Sequence, residues 1–324
     1  MAGSTGSAEG GRVVDPSPVS VVVAILTYRR PDDIAAVLPA VVEQLREVDE
    51  VVSRARVLVV DNDPGAGARE AVSAVGGPVQ YVHEPEPGIA AARNRALDEA
   101  RDDDVLVFID DDERPDPGWL SALLRTWSST RAAAVVGPVV SHFLVTPGPF
   151  VAAGRFFDRR RHLTGSTVDV AATNNLLLDL AVVRRIRLRF DPTTAATGGE
   201  DTLFTRALAT RGGRMVWCDE AVVRDIVPPS RITPRWVLQR ALSSGNSWSL
   251  TAVALAPSRA QRLSTRTVLH GRGLVRLVGG AGQSTVGLLT RQPYHRARGL
   301  RTAARGLGML LGAWNVRYRE YRRD

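Results

Sequence analysis

The run Val-Leu-Val-Phe-Ile at 105–109 is unbroken by polar residues and ends in three consecutive aspartates, Asp110, Asp111 and Asp112. A short continuous apolar run suits a strand covered on both faces, as in a parallel sheet sandwiched between helices. Such sheets bind ligands at the carboxyl ends of their strands. Three carboxylates at one strand end repel each other unless positive charge sits among them. Hard divalent cations such as Mg2+ or Mn2+ take oxygen ligands and are the matching guest. The competing reading is a solvated acidic turn, which Pro115 and Pro117 just downstream would suit.

The flanking sequence alternates strand and helix. Residues 19–26 form another buried-type strand, followed by Thr27-Tyr28-Arg29-Arg30-Pro31. Ile34, Leu38, Val41, Val42 and Leu45 then recur at helical spacing. Strands are expected at 56–60, closing on Asp61-Asn62-Asp63-Pro64-Gly65, and at 79–82. An Ala-rich helix carrying Arg93 and Asn94 spans 88–100. This alternation predicts βαβ units and an α/β fold with a mostly parallel sheet, in which two aspartate-bearing strand ends share a crevice. Farther on, the pattern predicts a helix at 119–127, a strand at 135–140 broken by Gly137-Pro138, and a loop-rich stretch at 146–167. Thr173-Asn174-Asn175 precedes three leucines, a helix opens at Gly198-Gly199-Glu200-Asp201, and strands follow at 215–218 and 221–227. Pro228-Pro229 closes this region. Residues 1–17 read as a disordered tail, 18–115 and 116–228 as two halves of one domain, and 229–324 as a basic amphipathic helical region.

Charge is distributed unevenly. All 42 basic residues are arginine. Residues 1–228 carry 25 arginines against 32 acids, whereas 229–324 carry 17 against 2. A basic, apolar tail on an acidic body fits an anionic membrane surface, with arginine on lipid headgroups. A helical subdomain packed on the sheet is the other reading. The tail has no recognisable nucleic-acid motif, so nucleic acid is not an expected partner. No run approaches the ~20 apolar residues of a transmembrane helix, and the N-terminus lacks a signal-peptide pattern. The single cysteine, Cys218, excludes an internal disulfide and fits a reducing compartment. Without lysine there is no Gly-Lys-Ser/Thr phosphate loop. No Gly-x-Gly-x-x-Gly follows the first strand, and neither His-Glu-x-x-His nor Gly-x-Ser-x-Gly occurs.

What remains is acidic chemistry. Asp110 and Asp112, two residues apart, can converge on one ion that bridges nucleotide phosphates and stabilises a departing diphosphate. Asp61, at a second strand end, could accept hydrogen bonds from a base. Arg93 suits a phosphate, one of these carboxylates, or a surface ion pair. Glu200-Asp201 at a helix start suits a cap; alongside the triple aspartate it suits a general base for an incoming hydroxyl. Asp225, on a later strand end, either reaches the metal or forms an ion pair.

Taken in order, these segments resemble family 2 glycosyltransferases of the GT-A fold. The resemblance rests on Thr27-Tyr28-Arg29-Arg30-Pro31, Val-Val-Asp-Asn at 59–62, Gly-Ile-Ala-Ala-Ala-Arg-Asn at 88–94, Phe-Ile-Asp-Asp-Asp at 108–112, Thr-Asn-Asn at 173–175 and Gly-Gly-Glu-Asp at 198–201. The last of these, followed by Val-Trp and Val-Pro-Pro, is similar to a bacterial exopolysaccharide subgroup of the succinoglycan glucosyltransferase type. The resemblance implies a Rossmann-like sheet flanked by helices, with a C-terminal helical extension. It implies inverting transfer of one sugar from a nucleotide-sugar, a UDP-sugar, to an acceptor hydroxyl. Thr27, Tyr28, Arg29, Asp61, Arg93, Asp110 and Asp111 would line the donor pocket, with Asp61 on the base and Asp111 lacking a direct contact of its own. Asp112 and Asp110, with Asp225 as a further candidate, would hold Mg2+ or Mn2+. Asp201 would be the base with Glu200 assisting, and Asn174, Asn175 and Gly199 would face the acceptor. That acceptor would be a glycan, a lipid-linked saccharide or a small molecule, met in the cytoplasm at the inner face of the cell membrane.

The chain departs from the family at Asp61-Asn62-Asp63, where Asp-Asp-Gly-Ser is commoner. Arg235-Trp236 and Gln239-Arg240 do not compose the processive Gln-x-x-Arg-Trp pattern, which favours single transfer. The alternatives are a glycosyltransferase of secondary metabolism with a soluble acceptor, a metal-dependent nucleotidyl- or phosphotransferase, and a catalytically silent nucleotide-sugar binder.

Overall fold

The structure, a computed structural model, describes residues 19–50, 52–194 and 198–318; the tail expected over 1–17 lies outside them. Its first part alternates β1 (Val19–Thr27), α1 (Pro31–Arg46), β2 (Val52–Asp61), α2 (Arg69–Val75), β3 (Val79–His83), α3 (Ile89–Glu99) and β4 (Val105–Asp110). Then come β5 (Glu113–Pro115), α4 (Trp119–Thr130), β6 (Ala134–Val136), β7 (Val139–Phe143), α5 (Pro149–Gly154), β8 (Asn175–Asp179) and α6 (Leu180–Arg185). The domain closes with α7 (Glu200–Thr210), β9 (Met215–Trp217) and β10 (Val223–Val227).

Seven strands form one sheet in the order β3-β2-β1-β4-β8-β6-β9. β1 to β4 are parallel, and β8 runs antiparallel to both β4 and β6. The sheet is therefore continuous across the boundary between 18–115 and 116–228. Alternate residues of each strand feed two cores. Val21, Val23, Ile25, Val57, Val59, Val105 and Val107 pack under α1 and α4; Val22, Ala24, Leu58, Val60, Leu106 and Phe108 pack on the face of α3 and α7. Burial on both faces is why these strands carry no polar alternation.

Gly137-Pro138 does more than interrupt a strand. It passes the chain from β6 in the large sheet to β7 in a second, three-stranded sheet ordered β5-β10-β7. A side chain at Gly137 would collide with the Ala221 carbonyl and the Asn175 amide, so only glycine fits the crossing.

The C-terminal region is three helices, α8 (Pro234–Ala254), α9 (Arg259–Leu289) and α10 (Pro293–Ala313). α9 and α10 pair backbone to backbone: a Cβ on Gly280 would lie 2.6 Å from the Gly299 carbonyl, and one on Gly306 would lie 2.7 Å from the Gly273 carbonyl. α10 seats on α8 through Gly308 and Gly312, and reaches α5, where Arg301 donates to the Arg155 carbonyl at 2.7 Å. α8 in turn packs on α7, with Ser247 against Gly199. Two of the helices thus pack on the domain, while the outer face of α9 exposes Val268, Val275, Val278, Val286 and Leu289. Among the described residues no helix is long and apolar enough to cross a membrane.

Candidate active site

Strand register gathers the acidic ends. Thr27 lies beside Asp61 and Leu26 beside Asp110, so β1, β2 and β4 finish at one edge of the sheet. Strand order reverses between β1 and β4, the switch point at which such sheets open a ligand crevice. The three aspartates leave β4 in different directions. Asp111 is buried and accepts from Thr27 Oγ1 at 2.8 Å and from Arg30 at 3.0 Å, which ties the end of β4 to β1. Burial raises its carboxyl to about 6, with Arg30 opposing the rise. Asp112 is partly exposed and faces two guanidiniums, Arg30 at 3.2 Å and Arg231 at 2.8 Å.

Asp110 lies deep in the cleft. Its carboxylate accepts no hydrogen bond from the described residues. Burial, opposed by Arg93 and reinforced by Asp112, Asp111 and Asp201, pushes its carboxyl up to about 7. Beneath it Glu113 is buried, accepting from the Asp110 backbone N–H at 3.1 Å and from the Asn174 amide at 2.6 Å. Burial next to Asp110 holds the Glu113 carboxyl well above its ordinary range. Asp225 pairs in register with Glu113, and its side chain meets Arg159 at 3.1 Å.

A carboxylate with no hydrogen-bond partner among the described residues and other carboxylates nearby offers oxygen ligands to a hard cation. Among the described residues, however, no three acidic, His or Cys side chains converge to cage an ion. Mg2+-type ions at phosphate sites need only one or two carboxylates, with phosphate and water completing the shell. Asp110 fits that smaller requirement as it stands, whereas Asp112, paired with Arg30 and Arg231, and Asp225, paired with Arg159, would each exchange a guanidinium for the ion.

Across the cleft, Gly199 takes φ +89° and starts α7, so that Glu200 and Asp201 sit in its first turn. Burial, strengthened by the neighbouring Glu200 charge, raises the Asp201 carboxyl. Glu200 is buried against the Arg93 guanidinium, which lies over the Phe190 ring at 5.4 Å. The second Glu200 oxygen is buried and has no partner among the described residues. Arg93 therefore links α3 to α7 and lends its charge to both Asp110 and Asp201. Tyr28 and Arg29 form the rim: Arg29 adopts φ 55°, lies 5.1 Å over the Tyr28 ring and meets Asp63 at 3.4 Å.

Two residues expected to meet ligands also hold the fold together. Asp61 is 0% exposed; it accepts from the Asp63 and Ala68 backbone N–H groups and from the Tyr81 hydroxyl, each within 3.0 Å. These three bonds tie the carboxylate to the shape of the 62–68 loop. Asn62 does similar work for the next loop, accepting from Gly88 N–H and donating to the Glu84 and Glu86 carbonyls. Asn175 is buried, accepts from Trp119 Nε1 at 2.9 Å and donates to the Pro138 and Ala221 carbonyls. These bonds brace the Gly137 crossing. An Asp61→Ala variant is accordingly expected to lose about 2–4 kcal/mol of stability, because three buried donors lose their partner. Its UDP affinity, measured below its melting transition, should change less than threefold. Unchanged thermal unfolding with weakened UDP binding would restore the base contact.

The sequence reading passed over Arg30, Glu113, Arg159 and Arg231. Arg30 and Glu113 adjoin motifs already singled out, and Glu113 extends the acidic run to four. Arg231 follows Pro228-Pro229, more than a hundred residues from Asp112, and no local pattern links the two.

The comparisons agree with this architecture. The succinoglycan biosynthesis protein ExoM of Rhizobium meliloti (strain 1021) is 33% identical over 233 residues, spanning 69% of this chain and 72% of that protein. The mannosyltransferase PcManGT of Pyrobaculum calidifontis, solved with GDP-Man and Mn2+, superposes with a TM-score of 0.62 at 19% identity, over 93% of this chain and 88% of its own. TarS of S. aureus, solved with UDP-GlcNAc, gives 0.51 at 13% identity over 86% and 90%. These solved structures share the GT-A fold. The sequence model described as Glycosyl transferase family 2 matches residues 22–185, a span that holds β1 to β8 with Asp110 and Asp112. With that match and the ExoM relationship, the chain belongs to glycosyl transferase family 2.

Proposed function

We propose that the protein is an inverting glycosyltransferase that moves one sugar from a UDP-sugar to an acceptor hydroxyl in cell-surface polysaccharide or glycolipid synthesis. The observation that carries this reading is the opposition of Asp110, whose carboxylate is open to the cleft, and Asp201, near enough for its charge to raise the Asp110 carboxyl. A nucleotide-sugar lying between them has its diphosphate near Asp110 and Asp112 and its anomeric carbon toward α7. Residues 18–115 then supply most donor contacts and 116–228 most acceptor contacts.

Asp110 and Asp112 would hold the Mg2+ or Mn2+, which when bound supplies positive charge to the departing diphosphate. The remaining work falls to side chains. The Asp201 carboxylate takes the proton of the acceptor hydroxyl as that oxygen bonds to the anomeric carbon. The bond from that carbon to the diphosphate oxygen breaks with its electron pair, and the nucleoside diphosphate leaves from the opposite face. Arg93 restrains Glu200 beside the base, and Arg30 and Arg231 bring two cations to the carboxylate that would sit nearest the diphosphate. The test is a screen of nucleotide-sugars for Mn2+-dependent binding and hydrolysis. Tight UDP binding and slow hydrolysis of at least one UDP-sugar are expected; binding of no nucleotide-sugar would overturn the reading.

The outer face of α9 supports a place for the enzyme at the inner face of the cell membrane. Val268, Val275, Val278, Val286 and Leu289 repeat at helical spacing, and Val275 and Leu289 are 73% and 78% exposed. Arg272 and Arg276 lie exposed beside this stripe, and no acidic residue occurs between Asp225 and Tyr318. An apolar stripe edged by arginine suits an anionic bilayer surface. The double variant V275E/V278E should lose co-sedimentation with phosphatidylglycerol-containing vesicles, about tenfold or more, while keeping wild-type UDP-sugar hydrolysis. Equal sedimentation of variant and wild type would refute the membrane contact.

A further inference from the structure

A cavity of about 550 Å³ lies between β7, the 157–162 segment and the 168–175 segment. Its volume suits a ligand of one to two sugar rings. One wall is aromatic: Phe143 and Phe157 meet edge to face at 5.1 Å, and His162 and Trp217 do so at 5.4 Å. At one end Asn174 lines the cavity and holds Glu113, the carboxylate beneath Asp110. At another Ala171 lines it; its carbonyl accepts from the Thr205 hydroxyl at 3.0 Å, and the same hydroxyl reaches the Asp201 carbonyl at 2.9 Å. The cavity wall is thus one hydrogen bond from Glu113 and, through Thr205, two from the Asp201 backbone.

Its charge is specific. Four consecutive charged residues, Asp158 to Arg161, line it. Three are tied off: Asp158 by Arg155, Arg159 by Asp225 and Arg161 by Asp219. Arg160 is exposed and forms no ion pair with the described residues. One surplus guanidinium beside aromatic walls is arranged for a sugar face together with an anion. Resting on the glycosyltransferase reading, we propose that this cavity is the acceptor site and that the acceptor is a saccharide bearing an anionic group, held by Arg160. The anion is a carboxylate on an acidic sugar or a phosphate on the reducing end.

The test titrates the full-length protein, saturated with UDP and Mn2+, with cellobiose, cellobiouronic acid and cellobiose 1-phosphate by calorimetry. At least one anionic probe is expected to bind about tenfold more tightly than cellobiose, the scale of one charge-assisted contact. Carboxylate preference identifies an acidic sugar, and phosphate preference identifies a saccharide phosphorylated at its reducing end. Arg160→Ala should erase the anionic preference and leave UDP affinity unchanged, and Arg160→Lys should restore part of it. No anionic preference in the wild type, including no binding of any probe, overturns the proposal, as does a preference that survives Arg160→Ala. Intact UDP binding in those cases confines the failure to the acceptor site, whereas loss of wild-type UDP binding strikes the glycosyltransferase reading itself.

Discussion

Replacing Asp201 with asparagine should lower sugar transfer about a thousandfold while leaving UDP binding within twofold of wild type. Asparagine keeps the size of the side chain and one oxygen, so the Thr202 backbone N–H that now donates to Asp201 at 2.6 Å keeps an acceptor. What disappears is the ability to take a proton, and a positioned base contributes on the order of 10²–10⁴ in rate. Burial and the adjacent Glu200 charge raise the Asp201 carboxyl. A base must be ionised to act, so wild-type transfer should climb with pH through that raised value, and the residual activity of the variant should not. Steady-state transfer at several pH values, alongside UDP titration, checks both statements. A variant retaining a tenth of wild-type transfer would move the role to Glu200, whose second oxygen is buried next door without a partner.

Much of the fold could be read from apolar runs because strands covered on both faces admit few polar residues. Val105–Ile109 and Val19–Leu26 announce themselves for that reason, and the strand ends they carry define the crevice edge. The break at Gly137-Pro138 was visible, but its consequence was not: transfer between sheets depends on Asn175 and Ala221, which approach from elsewhere in the chain. The site was legible as residue types but not as roles. Asp61 and Asp110 both end parallel strands, and nothing local distinguishes a carboxylate consumed by backbone donors from one left open. That difference arises when the 62–68 loop curls back and Tyr81 arrives from β3. Arg231 was beyond reach for the same reason, since its ion pair with Asp112 exists only after β10 docks beside β5. In the C-terminal region, arginine and apolar residues suggested a membrane face or a packed subdomain. The glycines decide which helices pack, because only glycine lets α10 lie against the backbones of α8 and α9.

Asp110→Asn should yield a protein that is more stable than wild type at pH 8 without divalent ions, yet inactive. In the folded chain the Asp110 carboxyl is raised to about 7 from 3.8, first by burial and then by the carboxylates around it, against the pull of Arg93. A raised acid binds more protons folded than unfolded, so stability falls as pH rises from about 4 to about 7. Between pH 5 and pH 8 this group alone should cost the metal-free protein about 3 kcal/mol, or roughly 6 °C in melting temperature. Burial likewise raises Asp111 to about 6 and Glu113 well above its ordinary range, so they act in the same direction. Mn2+ should reverse the loss in the wild type by favouring ionised Asp110. Asparagine removes the buried charge, so the variant's melting temperature should vary less with pH and respond little to Mn2+, while UDP-sugar turnover falls about a thousandfold. Thermal unfolding from pH 5 to 8, with and without Mn2+, reads all of this apart from catalysis. A variant destabilised at pH 8 would mean that the Asp110 carboxylate is satisfied within the fold. The strand end would then be a structural carboxylate cluster, and a diphosphate site would have to be sought at Asp112 alone.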